Sequence, residues 1–268
     1  MYVLKFERET DKDIYMVNWR AHATLTGSNP GGSGHSVELS ADFPAPLRDK
    51  IEAELDCYAA YYQGEAGNIN CRSRIAEENL ITNYIEQGEQ VAERMIEAVK
   101  QGMKPVAYGT IETIQRTYTG KVNHTKDYLV TKAQEILRFW QSSEGTTSLA
   151  NEMGREYGFS SVYECEMLVP RASLPQTRDS EIHATKIGDF AIVHLPHELF
   201  DTLGMKFREA SPTEYLMVFG YSNEYNNYIP SQEAFNYGCY EADVAVYEPG
   251  EGEKLTAALI DLLKEVFE

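Results

Sequence analysis

Apolar residues recur at helical spacing in four stretches of the chain. Leu47, Ile51 and Leu55 share one face, with Pro46 in the first turn, where a missing N–H costs nothing. Val91, Met95, Ala98, Val99 and Gly102 form a second stripe, and Leu129, Ala133, Ile136, Leu137 and Trp140 a third. Leu255, Leu259, Leu262, Leu263 and Val266 form a fourth within a helix expected over 253–268. By period alone each stripe is a core-facing surface. Four shorter runs are almost wholly apolar: Ile14–Trp19, Cys57–Tyr62, Phe190–Leu195 and Tyr215–Gly220. Such runs suit strands covered on both faces. A helix over 46–56 separates the first two, and one expected from Glu198 to Ala210 separates the last two. Both sets therefore read as β-α-β units with parallel strands. The fold class expected is α/β, a mixed, largely parallel sheet with flanking helices, in a single domain over 1–268. The Gly/Ser-rich stretch Gly27–Gly34 reads as a surface loop.

Open parallel sheets bind ligands beyond the carboxyl ends of their strands. That rule selects four segments: 20–24, 63–70, 196–198 and 222–231. They hold His22, a Gly-rich turn, His197, Glu198, Tyr225 and Tyr228, a donor set able to bind a metal. Each has an ordinary structural alternative. A lone histidine after an apolar strand is commonly a hydrogen-bonded structural residue. Glu198 would open a helix, where the dipole favours a carboxylate, and tyrosines near turns usually pack. His194-x-x-His197-Glu198 matches neither H-E-x-x-H nor H-x-x-E-H, and Pro196 prevents the helix that would align its histidines, so His194 reads as structural. The loop Gly64–Asn68 lacks the G-K-[ST] ending of a phosphate loop, and Glu65 would repel phosphate.

Charge and composition narrow the function classes. The formal net charge is −18 over 268 residues, with no Lys/Arg cluster, which disfavours nucleic acid and anionic lipid surfaces as partners. No apolar run reaches membrane-spanning length. Met1–Asp11 is charged and does not read as a signal peptide. Cys57, Cys71, Cys165 and Cys239 form no C-x-x-C pair and suggest no disulfide framework, which favours a reducing, cytoplasmic compartment.

At these same segments the chain resembles the neutral ceramidase family. Asn18-Trp19-Arg20-Ala21-His22 is similar to the family's N-W-x-x-x-H strand end, with one residue of slack. Ser40-Ala41-Asp42-Phe43 resembles its S-A/S-D-x segment, and Gln63–Asn70 its Gly-rich loop. Leu195–Phe200 resembles P-G-E-x-F/T, and Asn223–Ile229 resembles N-x-Y-x-x-Y-I/V. Tyr240-Glu241 resembles the Tyr-Glu pair twelve residues after the second tyrosine, Tyr228 here. The matches run in order from about residue 14 to residue 250. The resemblance implies zinc as cofactor, with His22, Glu198 and Tyr228 as metal ligands. Tyr240 would act as an oxyanion donor, and Asn70 would stand where the family has a catalytic serine. It implies a zinc-dependent hydrolase of an amide, an N-acyl and possibly sphingolipid-like bond, with a small-molecule or lipid-like substrate. The family's H-T-H histidine and an arginine of its site have no counterpart before Asp13. His197 is the nearest substitute for that histidine. These departures imply a chain that starts in mid-domain and is catalytically silent alone. The rival readings are a non-catalytic binding protein or a fragment that needs an upstream chain.

Overall fold

The computed structural model describes residues 1–26, 40–71, 83–107 and 109–268. The Gly27–Gly34 stretch lies outside them. Strand β1 (Tyr2–Phe6) runs antiparallel to β2 (Ile14–Trp19). Helix α1 (Pro44–Leu55) then crosses back to β3 (Tyr58–Gln63), which pairs parallel with β2, as the apolar runs predict. Proline in the first turn starts α1, and Asp56 ends it in the left-handed region (φ 49°). Helix α2 (Tyr84–Gln101) starts at Asn83, whose side chain accepts from Ile85 N–H, and ends at Gly102. Its stripe Val91, Ala92, Met95 and Ile96 buries against Leu47 and Ile51 of α1 and Tyr15 and Val17 of β2.

A long hairpin follows, built from β4 (Ile111–Lys121) and β5 (Thr177–Ile187), antiparallel throughout. Between its strands the chain inserts three helices: α3 (Val130–Trp140), α4 (Thr147–Arg155) and α5 (Val162–Arg171). These have their own small core of Ala133, Ile136, Phe159, Val162, Cys165 and Leu168. Strand β6 (Phe190–His194) continues the sheet antiparallel to β5. The two-residue strand β7 (Glu198–Leu199) and helix α6 (Asp201–Glu209) lead to β8 (Leu216–Phe219), parallel to β6. Strand β9 (Tyr228–Ile229) pairs parallel with β7. Helices α7 (Gln232–Tyr237), α8 (Tyr240–Asp243) and α9 (Glu251–Phe267) complete the chain. Among the described residues no helix is long and apolar enough to cross a membrane.

The result is a mixed α/β fold in layers. Helices α1 and α2 cover one face of the β1-β2-β3 sheet, and α6 and α9 cover one face of the β4-β5-β6-β8 sheet. The inner faces meet through Tyr2, Leu4, Met16 and Tyr62 on one side and Phe190, Ile192, Met217 and Phe219 on the other. Tyr62 stacks on Phe219 with ring centroids 4.1 Å apart. Strand β8 is a sheet edge, and its outward backbone groups at Val218 would be orphaned. The buried Asn18 side chain supplies them. Its Nδ2 donates to the carbonyls of Val218 (2.9 Å) and Tyr62 (3.0 Å), while its Oδ1 accepts from Val218 N–H (3.3 Å). Gly220 N–H donates to Gln63 carbonyl (3.0 Å) one step beyond. This seam brings the carboxyl ends of β3 and β8 together.

One expectation from the pattern is corrected. Glu198 does not open the helix that follows it; α6 begins three residues later at Asp201. Glu198 belongs instead to β7, where pairing with β9 uses its backbone and fixes its side-chain direction.

Candidate active site

The site grows from three loop segments held by backbone hydrogen bonds. His22, just past β2, forms a parallel bridge with Asn70, and its N–H donates to Ile69 carbonyl (2.9 Å). Gly67 N–H donates to Leu199 carbonyl (2.9 Å), so the 64–70 loop spans from the β2 end to β7. A Cβ on Gly67 would stand 2.5 Å from the Glu198 carbonyl oxygen, so only glycine allows this approach. Glu198 and Tyr228 are directly opposite in the β7/β9 pair, so their side chains leave the same face.

That geometry gathers a carboxylate, an imidazole and several phenols. His22 Nε2 lies 3.5 Å from Glu198 Oε2 and 3.3 Å from Gly67 carbonyl oxygen. Both Glu198 oxygens are held, Oε2 by Tyr221 hydroxyl (2.8 Å) and Oε1 by Tyr225 hydroxyl (2.6 Å). Tyr228 meets the His22 ring edge-on at 6.1 Å between centroids, and Tyr240 meets Tyr228 at 6.3 Å. Burial, and then the adjacent Glu198 carboxylate, push the Tyr221 and Tyr228 phenols far above their ordinary range. Both phenols therefore stay protonated at neutral pH, and Tyr221 donates to Glu198. The loop that delivers these tyrosines is strained: Tyr221, Asn223 and Asn227 all have positive φ (58°, 67° and 68°). Asparagine tolerates that conformation, but a tyrosine there costs on the order of 1–2 kcal/mol, which the Tyr221–Glu198 hydrogen bond helps to offset.

The donor set bears directly on the zinc that the resemblance implies. Two ligands about 2.0–2.2 Å from a tetrahedral zinc stand roughly 3.4 Å apart. The 3.5 Å between His22 Nε2 and Glu198 Oε2 fits that spacing. Tyr221 and Tyr225 orient the carboxylate in the way outer hydrogen-bond partners orient metal ligands. Among the described residues no group of three His, Cys, Asp or Glu side chains could hold a metal ion. The Tyr228 ring stands edge-on to His22 beside the His22–Glu198 pair.

No family model matches the chain. Solved structures similar to it include two ceramidases. One is the crystal structure of neutral ceramidase from Pseudomonas aeruginosa, with a TM-score of 0.63, 15% identity, and coverage of 93% of this chain and 43% of that one. The other is a ceramidase complexed with C2, with a TM-score of 0.63, 14% identity, and coverage of 93% and 45%. The fold is ceramidase-like. The likeness is one of fold, and the chain spans less than half the length of either structure.

Within this ceramidase-like fold the remaining candidates fall as follows. Asn70 is exposed, beside His22 across their backbone bridge. Tyr240 opens α8, half exposed (51%), with its ring against Tyr228 on one side and Tyr163 on the other. Asn68 caps α6, its Oδ1 accepting from Asp201 N–H (2.9 Å). His197 cannot substitute for a second histidine of the site. It is buried, its Nε2 is 2.9 Å from Ser180 Oγ, and its ring packs edge-on against Tyr247. His194 packs against Phe219 and His183, a structural position. Tyr221 was not among the sequence candidates; its signal was its place as the second residue beyond β8.

Proposed function

We propose that this chain carries a hydrolytic site for an N-acyl amide, with zinc held by His22, Glu198 and Tyr228. The observation that supports this most is the buried Glu198 carboxylate, 3.5 Å from His22 Nε2 and oriented by two tyrosine hydroxyls at the strand ends of a ceramidase-like fold. When bound, zinc would supply Lewis-acid polarisation of the amide carbonyl and a water of lowered pKa. The chain's own groups do the rest. Tyr221 and Tyr225 hold the carboxylate in one rotamer. The Tyr240 hydroxyl is a neutral donor whose ring stands next to Tyr228, suited to receive developing oxyanion charge. Asn70 can donate a hydrogen bond but cannot attack as a nucleophile. This residue favours a second reading, a binding protein that keeps the pocket without turnover.

Metal analysis of the purified chain after zinc loading and gel filtration, together with release from a fluorogenic N-acyl amide, tests the proposal. Stoichiometric zinc lost in both His22→Ala and Glu198→Ala, with turnover lost in parallel, supports it. Zinc retention unchanged in both variants refutes the ligand set. Zinc without turnover is the outcome of the binding-protein reading and equally of a fragment that needs an upstream chain.

A further inference from the structure

Strand β4 is an edge of its sheet, 11 residues long and paired with β5 without a bulge. The hydrogen bonds at its far end show which backbone groups face the free side. Val122 N–H donates inward, to the Gln176 carbonyl just before β5 (2.9 Å). Lys121 faces the other way. Its N–H donates to Glu251 Oε2 (3.2 Å), and its carbonyl accepts from Glu248 N–H (3.0 Å). Backbone direction alternates along an antiparallel strand. Ile111, Thr113, Gln115, Thr117 and Thr119 therefore also turn their N–H and C=O groups outward. Among the described residues nothing bonds to these groups.

Folded proteins blunt such an edge with proline, lysine, a bulge or a covering element. Between Ile111 and Gly120 there is no proline, no lysine and no bulge. The residues are good strand formers, and Ile111 is 70% exposed. The strand before Lys121 carries two charges, Glu112 and Arg116, of opposite sign and on one face. Their spacing selects a register for pairing two copies of β4 antiparallel. With the two-fold axis at Ile114, Glu112 of each copy stands opposite Arg116 of the other. The outward-facing residues then pair 111 with 117 and 113 with 115, making about eight backbone hydrogen bonds. An axis at Thr113 or Gln115 sets each charge against an uncharged residue. An axis at Glu112 or Arg116 sets one charge against its own copy, which is unfavourable. Arg116 already touches Glu265 of α9, and a guanidinium has donors for both carboxylates.

We propose that this chain associates with a second copy of itself through β4, which joins the two β4-β5-β6-β8 sheets edge to edge about Ile114. The Glu112–Arg116 pairs set the register, and the outward backbone groups supply the contact. The interface uses none of the residues of the hydrolytic site and stands or falls apart from it. Each copy carries a net charge of −18, so the two repel at long range. Added salt screens that repulsion more than it weakens the short Glu112–Arg116 contacts, and association tightens as salt rises.

Analytical ultracentrifugation of the whole chain over a concentration series, at about 0.05 and 0.5 M NaCl, tests this. A monomer–dimer equilibrium is expected, about tenfold tighter at the higher salt. Thr117→Pro removes an outward N–H that no bond to β5 uses, so the strand keeps its place in the sheet. Far-UV circular dichroism checks that fold, and the dimer should be lost. Glu112→Arg and Arg116→Glu, made in separate chains, each set like charges opposite one another and should weaken the dimer about tenfold. Mixing those two variants should restore it, because every charge then meets its opposite across the axis. Monomer alone at sub-millimolar chain in the higher salt overturns the proposal. So does a dimer indifferent to Thr117→Pro, or a mixture no more associated than its two components.

Discussion

Replacing Asn18 by leucine tests the seam that assembles the site. Leucine matches asparagine in side-chain branching but is bulkier, so the substitution leaves no cavity, removes the hydrogen bonds and adds some overpacking. Three backbone groups lose their partner: Val218 N–H, Val218 carbonyl and Tyr62 carbonyl, at 3.3, 2.9 and 3.0 Å from the amide. Asn18 is 1% exposed and Val218 is fully buried, so water cannot replace the lost partners. Each orphaned buried group costs about 1–3 kcal/mol. The Val218 pair share one strand edge and relax together, so the expected total is about 3–5 kcal/mol, not the full sum. Asn18→Asp should lose a similar amount near neutral pH. It keeps the acceptor for Val218 N–H but points a carboxylate at two carbonyls. Urea unfolding followed by far-UV circular dichroism measures both, with unchanged m-values required for the comparison. A loss below about 1 kcal/mol in Asn18→Leu would refute the claim that this amide closes the edge of β8.

Gly67→Ala should destabilise by about 1–3 kcal/mol through its clash with Glu198 carbonyl, visible as a lowered Tm. Gly109→Ala, whose Cβ meets nothing nearer than 4.0 Å, is the control that should not. Arg208→Met should cost somewhat less than the ~3–5 kcal/mol of a fully broken buried pair in urea unfolding, because it strips the two-contact partner (2.6 and 3.0 Å) from the buried Glu65 carboxylate and leaves only the Arg20 guanidinium at 3.6 Å. Burial, and secondarily the neighbouring His183, lowers His194 from 6.5 to about 4. The unfolded chain therefore takes up its proton first, and stability is lost as pH falls from about 6.5 towards 4. His194→Phe, packed between Phe219 and His183, should flatten that acid limb in a pH series of thermal melts; an unchanged limb would mean His194 does not titrate this way.

Local pattern carried a definite share of this protein. The continuous apolar runs located β2, β3, β6 and β8 to within a residue or two, because strands covered on both faces have no polar position to interrupt them. The helical stripes located α1, α2, α3 and α9 for the matching reason, a single buried face repeating at 3.6 residues. The two β-α-β units followed, and with them the strand ends where His22, Glu198 and Tyr228 lie. The hairpin of β4 and β5 escaped this reading. Most of β4 is exposed or half-exposed, and its partner is over fifty residues away, so its pairing energy comes from long-range backbone bonds that leave no periodic trace. The side-chain directions were also decided in three dimensions. His197 and Glu198 are neighbours in sequence, yet His197, in the bend before β7, is buried against Ser180, and Glu198, in β7, is turned to His22. Tyr221 reaches Glu198 only because its backbone adopts a left-handed turn that no local preference of tyrosine favours. A row of aromatic rings joins residues 140, 163, 228 and 240 from separate elements, and only the docking of the inserted helices beside α8 brings them together.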